Sequence, residues 1–340
     1  MSSRARVARV LGIDGVPILI AFVAVAVYFS LAVPSFFDAD ALRFYLNEEV
    51  PVFIITAGLA FVIIAGGIDL SVGAVLGLSA GTSLLASMNG FSTPLATLVG
   101  LGTGFAFGVI NGFIIVKLRL NDFIVTLGSL NVAAGLLVVL TDHVQIVGTQ
   151  DGSYLAIANT SVLGVTSAML IAVATVAVLQ LVLVKTILGR KVMATGLGQT
   201  PALIAGIDVG RVKYFAYILS GTLAGLGGVV LASRLNSVQP GLAGGYELAA
   251  IAAAVLGGVS LAGGRGGIWQ AALGVLLLVT LKQGFRLMGV DPLVFSIITG
   301  LCILAGVILD RGVRRLALSL AAPAPAVTDN RELAPAMEAK

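Results

Sequence analysis

Long runs of apolar residues alternate with short polar stretches along most of the chain. A helix needs about 20 residues to cross the hydrocarbon core of a bilayer. Ten apolar segments can be marked, and most of them reach this length with their flanks. They lie at 16–33, 50–67, 70–88, 95–116, 123–140, 168–184, 214–232, 248–261, 268–281 and 292–309. Because the runs are continuous rather than alternating, they favour helices over barrel strands. The pattern predicts an all-α, polytopic membrane helical bundle with about ten transmembrane segments.

Three of these segments differ from the rest. Segments 248–261 and 268–281 are short, and segment 50–67 ends in the pair Gly66-Gly67. Irregular backbone at membrane depth is tolerated only where protein or a cavity covers it. We therefore expect these three to be short, broken or partly re-entrant helices.

The composition supports a membrane protein. Of 340 residues, 58% are hydrophobic and 11% are charged, whereas soluble domains carry roughly 25% charged residues. The 43 glycines do not argue against helices here, since small residues let helices approach closely in lipid.

The distribution of basic residues predicts the orientation. If all ten segments cross and the N-terminus is cytoplasmic, fourteen Lys and Arg residues fall on the cytoplasmic side. The opposite side then holds four, namely Arg43, Arg234, Lys282 and Arg286. This is a strong positive-inside bias. It predicts a cytoplasmic N-terminus (1–15), a transmembrane domain (16–315) and a disordered, Ala- and Pro-rich cytoplasmic tail (316–340), all in a bacterial inner membrane.

The connection at about 185–213 is the longest basic one. Within it, residues 194–206 read ATGLGQTPALIAG, a glycine-punctuated stretch with a small apolar turn, and basic residues lie before and after it. Exposed apolar side chains beside charges often form a partner site. We expect Ala202, Leu203, Ile204 and Ile207 to dock a partner protein. The alternative is that they pack against the helix ends of this chain.

Asp69 lies in the segment AGGIDLSVG (65–73), which interrupts an apolar stretch. An acidic residue at membrane depth is costly. Three roles are open for it: capping the third span, lining a transport path together with Ser71, or pairing with a basic loop residue. The string GGVSLAGG, at 257–264, echoes GGIDLSVG, either through internal duplication or as the same turn used twice.

Other polar residues also fall within or beside apolar runs. Asn111, Thr126, Ser129 and Asn131 either hydrogen-bond between helices or line an aqueous path. Gln239 and Glu247 flank a polar loop that either lines the outer mouth of such a path or only connects two helices.

Several kinds of chemistry are excluded. His143 is the only histidine, so a multi-histidine metal site cannot form. The chain has no GxxxxGK[ST] sequence, and therefore no nucleotide-binding P-loop of its own. The basic residues are scattered at span edges, which is not a nucleic-acid signature. The chain is not expected to be an enzyme, and any energy from ATP must come from a partner.

The chain resembles the permease subunits of bacterial ABC importers of the ribose, xylose and galactose type, from about residue 45 to 315. The matching strings are AGGIDLSVGAVLGLSA (65–80), NDFIVTLGSL (121–130), ATGLGQTPALIAGI (194–207) and, within 214–266, GYEL, AIAAAVLGG and SLAGG. The resemblance implies that 198–207 contains the coupling helix that inserts into the ATPase subunit. These residues are Gly198, Gln199, Thr200, Pro201, Ala202, Leu203, Ile204, Ala205, Gly206 and Ile207.

The resemblance also implies the partners. They are an ATP-binding subunit that holds ATP and magnesium, a second permease subunit, an extracytoplasmic sugar-binding protein and membrane lipid. No cofactor is expected on this chain. The sequence departs from the family pattern at Gly198, Pro201, Leu203, Ala134 and Ala249. This leaves the substrate open, and either a homodimeric or a heterodimeric permease is consistent with it.

The sequence therefore predicts the membrane-spanning permease of an ATP-driven sugar importer. Related permeases for nucleosides, furanosyl signals or branched-chain amino acids are alternatives. An ion-coupled secondary transporter is a further alternative, for which Asp69 is the one candidate cation ligand.

Overall fold

The computed structural model describes residues 15–162, 164–291, 294–295, 297–301 and 304. Its helices are α1 Val16–Ala32, α2 Ala39–Glu48, α3 Val50–Ile64, α4 Val72–Met88, α5 Thr93–Lys117, α6 Asp122–Leu140, α7 Gly152–Asn159, α8 Ser167–Lys185, α9 Ile187–Leu197, α10 Gln199–Ile204, α11 Val209–Leu235, α12 Tyr246–Leu256 and α13 Ile268–Leu287. The short strands pair antiparallel: β1 Ile146–Val147 joins the distant β4 Ser237–Val238, and β2 Ser161–Val162 forms a local hairpin with β3 Val165–Thr166. The predicted helical membrane bundle is confirmed.

Helices long and apolar enough to cross a membrane are α5, α6, α8, α11 and α13, within the residues the structure describes. A sixth crossing forms if α2 and α3 are one span, bent by 46°. The shorter apolar helices are α1, α4 and α12. α12 has 11 residues and is short, as expected. The expectation for 268–281 was wrong, because α13 continues to Leu287 and has 20 residues.

Three expectations fall partly or wholly outside the described residues. They concern the N-terminus (1–15), the tail (316–340) and the tenth segment (292–309). In that segment the described residues, at 294, 295, 297–301 and 304, are helical.

α3 and α11 form the centre of the bundle. Almost every residue of α3 is buried, which suits a helix that is apolar on all sides. α11 packs on α5 through glycines, because a Cβ at Gly104 would lie 2.6 Å from the Gly225 nitrogen. A Cβ at Gly225 would in turn lie 2.9 Å from the Gly100 oxygen. The glycines therefore serve helix packing, as the composition predicted.

The bundle has two distinct ends. At one, which we call the junction end, Ile64, Gly196 and Gly264 meet. At the other, the α7 end, the β1–β4 pair joins the loops after α6 and α11. Lys282 and Glu49 form an ion pair of 2.6 Å at this second end. α3 therefore runs from the α7 end, where Glu49 precedes it, to the junction end, where Ile64 ends it. The orientation that the basic residues predict stays a prediction.

Candidate functional site

Asp69 is buried at the break between α3 and α4, with 2% of its surface exposed. Its Oδ1 accepts hydrogen bonds from the backbone N–H of Ser71 (3.0 Å) and from the Ser71 hydroxyl (2.6 Å). Its Oδ2 accepts a hydrogen bond from the Ser220 hydroxyl of α11 at 2.8 Å. Both carboxylate oxygens are therefore satisfied, as a buried acidic group requires.

Hydrogen bonds extend this arrangement to two more helices. The Asn111 amide of α5 donates to the Ser71 hydroxyl at 3.0 Å. The Ser129 hydroxyl of α6 donates to the Asn111 side-chain oxygen. We call Asp69, Ser71, Asn111, Ser129 and Ser220 the Asp69 network. It ties together the α3–α4 break, α5, α6 and α11, so Asn111 and Ser129 do bond between helices.

The structure places Asp69 in neither the capping role nor the charge-pair role in its simple form, and the transport-path role stays a prediction. The N-cap residue of α4 is Ser71, and the Asp69 carboxylate bonds the N–H of that residue rather than one in the first turn of α4. Among the described residues the ion pairs do not include Asp69. Asp69 instead links helices.

A second acidic contact, made by a half-buried carboxylate, was missed in the sequence. Asp122, the first residue of α6, accepts a hydrogen bond from the backbone N–H of Ile68 at 3.0 Å. The same carboxylate oxygen lies 3.3 Å from the Tyr217 hydroxyl of α11. An acidic residue in the first turn of a helix usually complements the dipole, so its position alone does not indicate a tertiary contact.

The remaining path candidates are placed differently. Thr126 is buried and donates to the carbonyl of Asp122 in its own helix. Asn131 is exposed and donates to the carbonyl of Leu127 in its own helix. Within the described part of the chain neither side chain bonds to another helix, so interhelical hydrogen bonding does not hold for these two, and lining an aqueous path stays a prediction.

Gln239 and Glu247 lie on either side of the loop before α12. Gln239 is exposed, and Glu247 is half-buried with its Oε1 accepting the Gly245 N–H at 3.2 Å. Glu247 also lines a cavity of about 80 Å³ between this loop and α6. The other lining residues are Ala74, Leu130, Ala134, Leu137, Gly241, Leu242 and Gly244.

The connection at 185–213 is helical rather than an open loop, because α9 and α10 occupy much of it. Gly198 separates the two helices and is the N-cap residue of α10. Pro201 lies in the first turn of α10, where its missing N–H costs little. Arg190 and Lys191 lie on α9, and Arg211 and Lys213 on α11.

The apolar residues of this connection divide into two groups. Leu203 is 59% exposed and Ile204 is 84% exposed, whereas Ala202 is buried and Ile207 half-buried. The expectation that all four form one exposed surface was wrong for Ala202, which packs inward. Leu197, at the end of α9, is exposed and was missed. We call Leu197, Leu203 and Ile204 the apolar tip.

Comparison with known proteins identifies the class. The family described as branched-chain amino acid transport system, permease component, matches residues 42–307. The chain is 40% identical to the ribose import permease protein RbsC of Bacillus subtilis, over 87% of this chain and 92% of that protein. It is 34% identical to the L-arabinose transport system permease protein AraH of Escherichia coli, over 76% and 78%. Identity with the D-allose transport system permease protein AlsC of Escherichia coli is 32%, over 85% and 89%.

The helical bundle and these matches define a multi-pass membrane protein of the transport-permease class. The chain belongs to the permease family of bacterial ABC importers, as the sequence resemblance predicted. A permease of this family is a transport subunit and not an enzyme. The structure adds no metal centre to this picture: the residues it describes do not bring three or more His, Cys, Asp or Glu side chains together as ligands.

Proposed function

We propose that this chain is the membrane-spanning permease of an ATP-driven monosaccharide importer. It works with a separate ATPase that holds ATP and magnesium, a second permease subunit and an extracytoplasmic binding protein. Family membership supports the transport role, and the ribose, arabinose and allose permeases named above favour a monosaccharide over an amino acid. The junction end faces the cytoplasm in this proposal, because the basic connection 185–213 lies there.

The apolar tip is the observation that carries the ATPase assignment. Leu203 and Ile204 project from a short helix whose flanking segments carry Arg190, Lys191 and Arg211. Exposed apolar side chains surrounded by charge are typical of a docking surface. In the complex, the tip inserts into a groove of the ATPase, and α9 and α10 convert closure of the ATPase dimer into movement of the permease.

The test is Leu203→Glu in the assembled importer. A glutamate at the tip would be buried without a partner in the ATPase groove, which is costly. We expect the molar ratio of ATPase to permease after affinity purification to fall severalfold, while the amount of permease in the membrane stays at the wild-type level.

Val144→Glu is the matched control. Val144 is 62% exposed but lies at the α7 end, so the same change there should leave the ATPase ratio unchanged. If Leu203→Glu gives a wild-type ratio and wild-type uptake, the docking assignment fails. If it lowers folded permease instead, the tip packs on this chain rather than on a partner.

The path is assigned to the open face of α6. A Cβ at Gly128 or Gly135 would have no neighbour within 4 Å, and Asn131 between them is exposed. An exposed amide beside two glycines is poorly suited to lipid, which favours apolar contact. In the paired permease this face lines the shared path, with Gln239 and Glu247 at the outer mouth and the Asp69 network holding α6 in place.

A further inference from the structure

Three glycine-containing segments, far apart in sequence, meet at the junction end. They are the end of α3 with Gly66, the end of α9 with Gly196, and the turn between α12 and α13 with Gly263 and Gly264. The Gly264 N–H donates to the Ile64 carbonyl at 2.9 Å. A methyl group at Gly196 would overlap both of these atoms and would lie 3.0 Å from the Gly264 Cα. We call Ile64, Gly196 and Gly264 the glycine junction.

The neighbours of Gly196 in this junction are backbone atoms rather than flexible side chains. Gly263 and Gly264 have φ angles of +85° and +72°, in the left-handed region that favours glycine. A Cβ at Gly263 would lie 3.0 Å from the Cα atoms of both Gly196 and Gly66. Because backbone atoms of α9 are in direct contact with backbone atoms of the other two segments, the end of α9 cannot shift toward its neighbours without moving α3 or the α12–α13 turn.

The glycine junction lies between the apolar tip and the Asp69 network. On one side, Gly196 is followed by Leu197 and by Gly198, the N-cap residue of α10. On the other side, the chain runs from Ile64 through Gly66 and Gly67 to Asp69. A Cβ at Gly67 would lie 2.6 Å from the Tyr217 hydroxyl, so this short segment also rests closely on α11.

We propose that Gly196 is a positioning residue of the transport cycle, which passes movement of α9 and α10 to the α3–α4 break and to the α12–α13 turn. The proposal rests on the docking function proposed above. A conformational change at the docking surface can reach a distant part of the protein through packed elements that adopt two arrangements. The two echoed strings, at 66–73 and 257–264, are then the two segments that receive the movement.

Gly196→Ala tests this in the full importer, reconstituted in lipid vesicles with its ATPase and binding protein. Uptake is measured with whichever of ribose, arabinose and allose the wild type takes up best, together with ATP hydrolysis and the ATPase-to-permease ratio. Alanine favours the helix in which Gly196 lies, so a loss cannot come from helix propensity. We expect uptake per ATP hydrolysed to fall about tenfold, with an unchanged ATPase ratio.

Two variants serve as controls. Gly102 lies within α5, and a Cβ there would meet no atom within 4 Å. Thr195 is buried, and its hydroxyl has no protein partner among the described residues. Gly102→Ala and Thr195→Val should therefore keep wild-type uptake per ATP.

Uptake per ATP is normalised to the folded complex, so it remains informative if Gly196→Ala lowers the yield. Wild-type uptake per ATP in Gly196→Ala, or an equal loss in Gly102→Ala, overturns the proposal. The docking function fails separately, when Leu203→Glu leaves the ATPase ratio and uptake unchanged.

Discussion

The two ends of this permease are held together by different kinds of contact. At the junction end, backbone meets backbone, as where the Gly264 N–H donates to the Ile64 carbonyl at 2.9 Å. At the α7 end, side-chain hydrogen bonds add to the backbone pairing of β1 with β4. The Thr149 N–H donates to the Asn236 side-chain oxygen at 2.9 Å, and the Tyr154 hydroxyl donates to the Ser83 hydroxyl at 2.9 Å.

This difference has a mechanical consequence. Contacts between main-chain atoms leave no side chain that can change rotamer to absorb a shift, so a displacement passes to the next element. Side-chain hydrogen bonds can break one at a time, at a cost of about 1 kcal/mol each. We therefore expect substitutions at the junction end to act on several helices together, and those at the α7 end to be smaller and roughly additive.

The largest effect is expected for Asp69→Leu, next to the glycine junction. Leucine would leave the Ser71 N–H and the hydroxyls of Ser71 and Ser220 without their acceptor, at about 1–3 kcal/mol for each buried group. The apparent Tm in detergent and the folded yield should fall sharply. Asp69→Asn keeps one acceptor oxygen and should cost about 1 kcal/mol.

Asp40→Leu is the control for the loss of an acidic residue, since Asp40 is exposed and its contact with Arg43 spans 3.7 Å. It should change the Tm little. If Asp69→Asn is as damaging as Asp69→Leu, the negative charge itself is required, and hydrogen bonding alone does not explain the site.

Much of the fold could be predicted because the hydrophobic runs are long. The runs at 95–116, 123–140 and 168–184 correspond to α5, α6 and α8 with bounds that differ by a few residues. The short helix α2 was not predicted, because charged residues in 38–49 suggest a polar outer loop and tertiary packing decides its conformation. α7 was missed for the same reason.

The site was less predictable than the helices. The string AGGIDLSVG pointed to Asp69 and Ser71, but not to their contacts with Ser220 and Asn111, which lie 151 and 40 residues away. The junction of Ile64, Gly196 and Gly264 is likewise a tertiary contact, and a glycine in a helix carries no sign of what lies against it. The exposed tip residues Leu203 and Ile204 were predicted, because apolar residues on a polar connection have few other roles.

Asn236→Ala should have an intermediate effect at the α7 end. Asn236 follows α11 in the left-handed region, with a φ of 48°, and its amide bonds both backbone groups of Thr149. Alanine loses these bonds and also disfavours this backbone conformation, for a combined cost of about 2 kcal/mol. Asn236→Gly keeps the conformation and loses the bonds, so about 1 kcal/mol is expected. Thermal unfolding of the purified permease measures both. Equal Tm values for wild type and Asn236→Gly would show that the side-chain bonds do not stabilise this end.

The smallest effect is expected for Tyr154→Phe, on α7. The variant removes one hydrogen bond, while Ser83 still donates to the Ala96 carbonyl at 2.9 Å, so the cost should be about 1 kcal/mol or less.

The pH dependence of the Tm tests whether the Tyr154 hydroxyl is buried. Burial raises the pKa of Tyr154 to about 12, above the value of about 10 for a free tyrosine. Above pH 10 the unfolded chain loses this proton while the folded chain keeps it, so the stability from Tyr154 is full below about pH 10 and declines toward pH 12. The Tm of the wild type should therefore fall more steeply than that of Tyr154→Phe between pH 10 and 12. Parallel Tm curves in this range would mean that Tyr154 is accessible to water, and that α7 does not seal this end of the bundle.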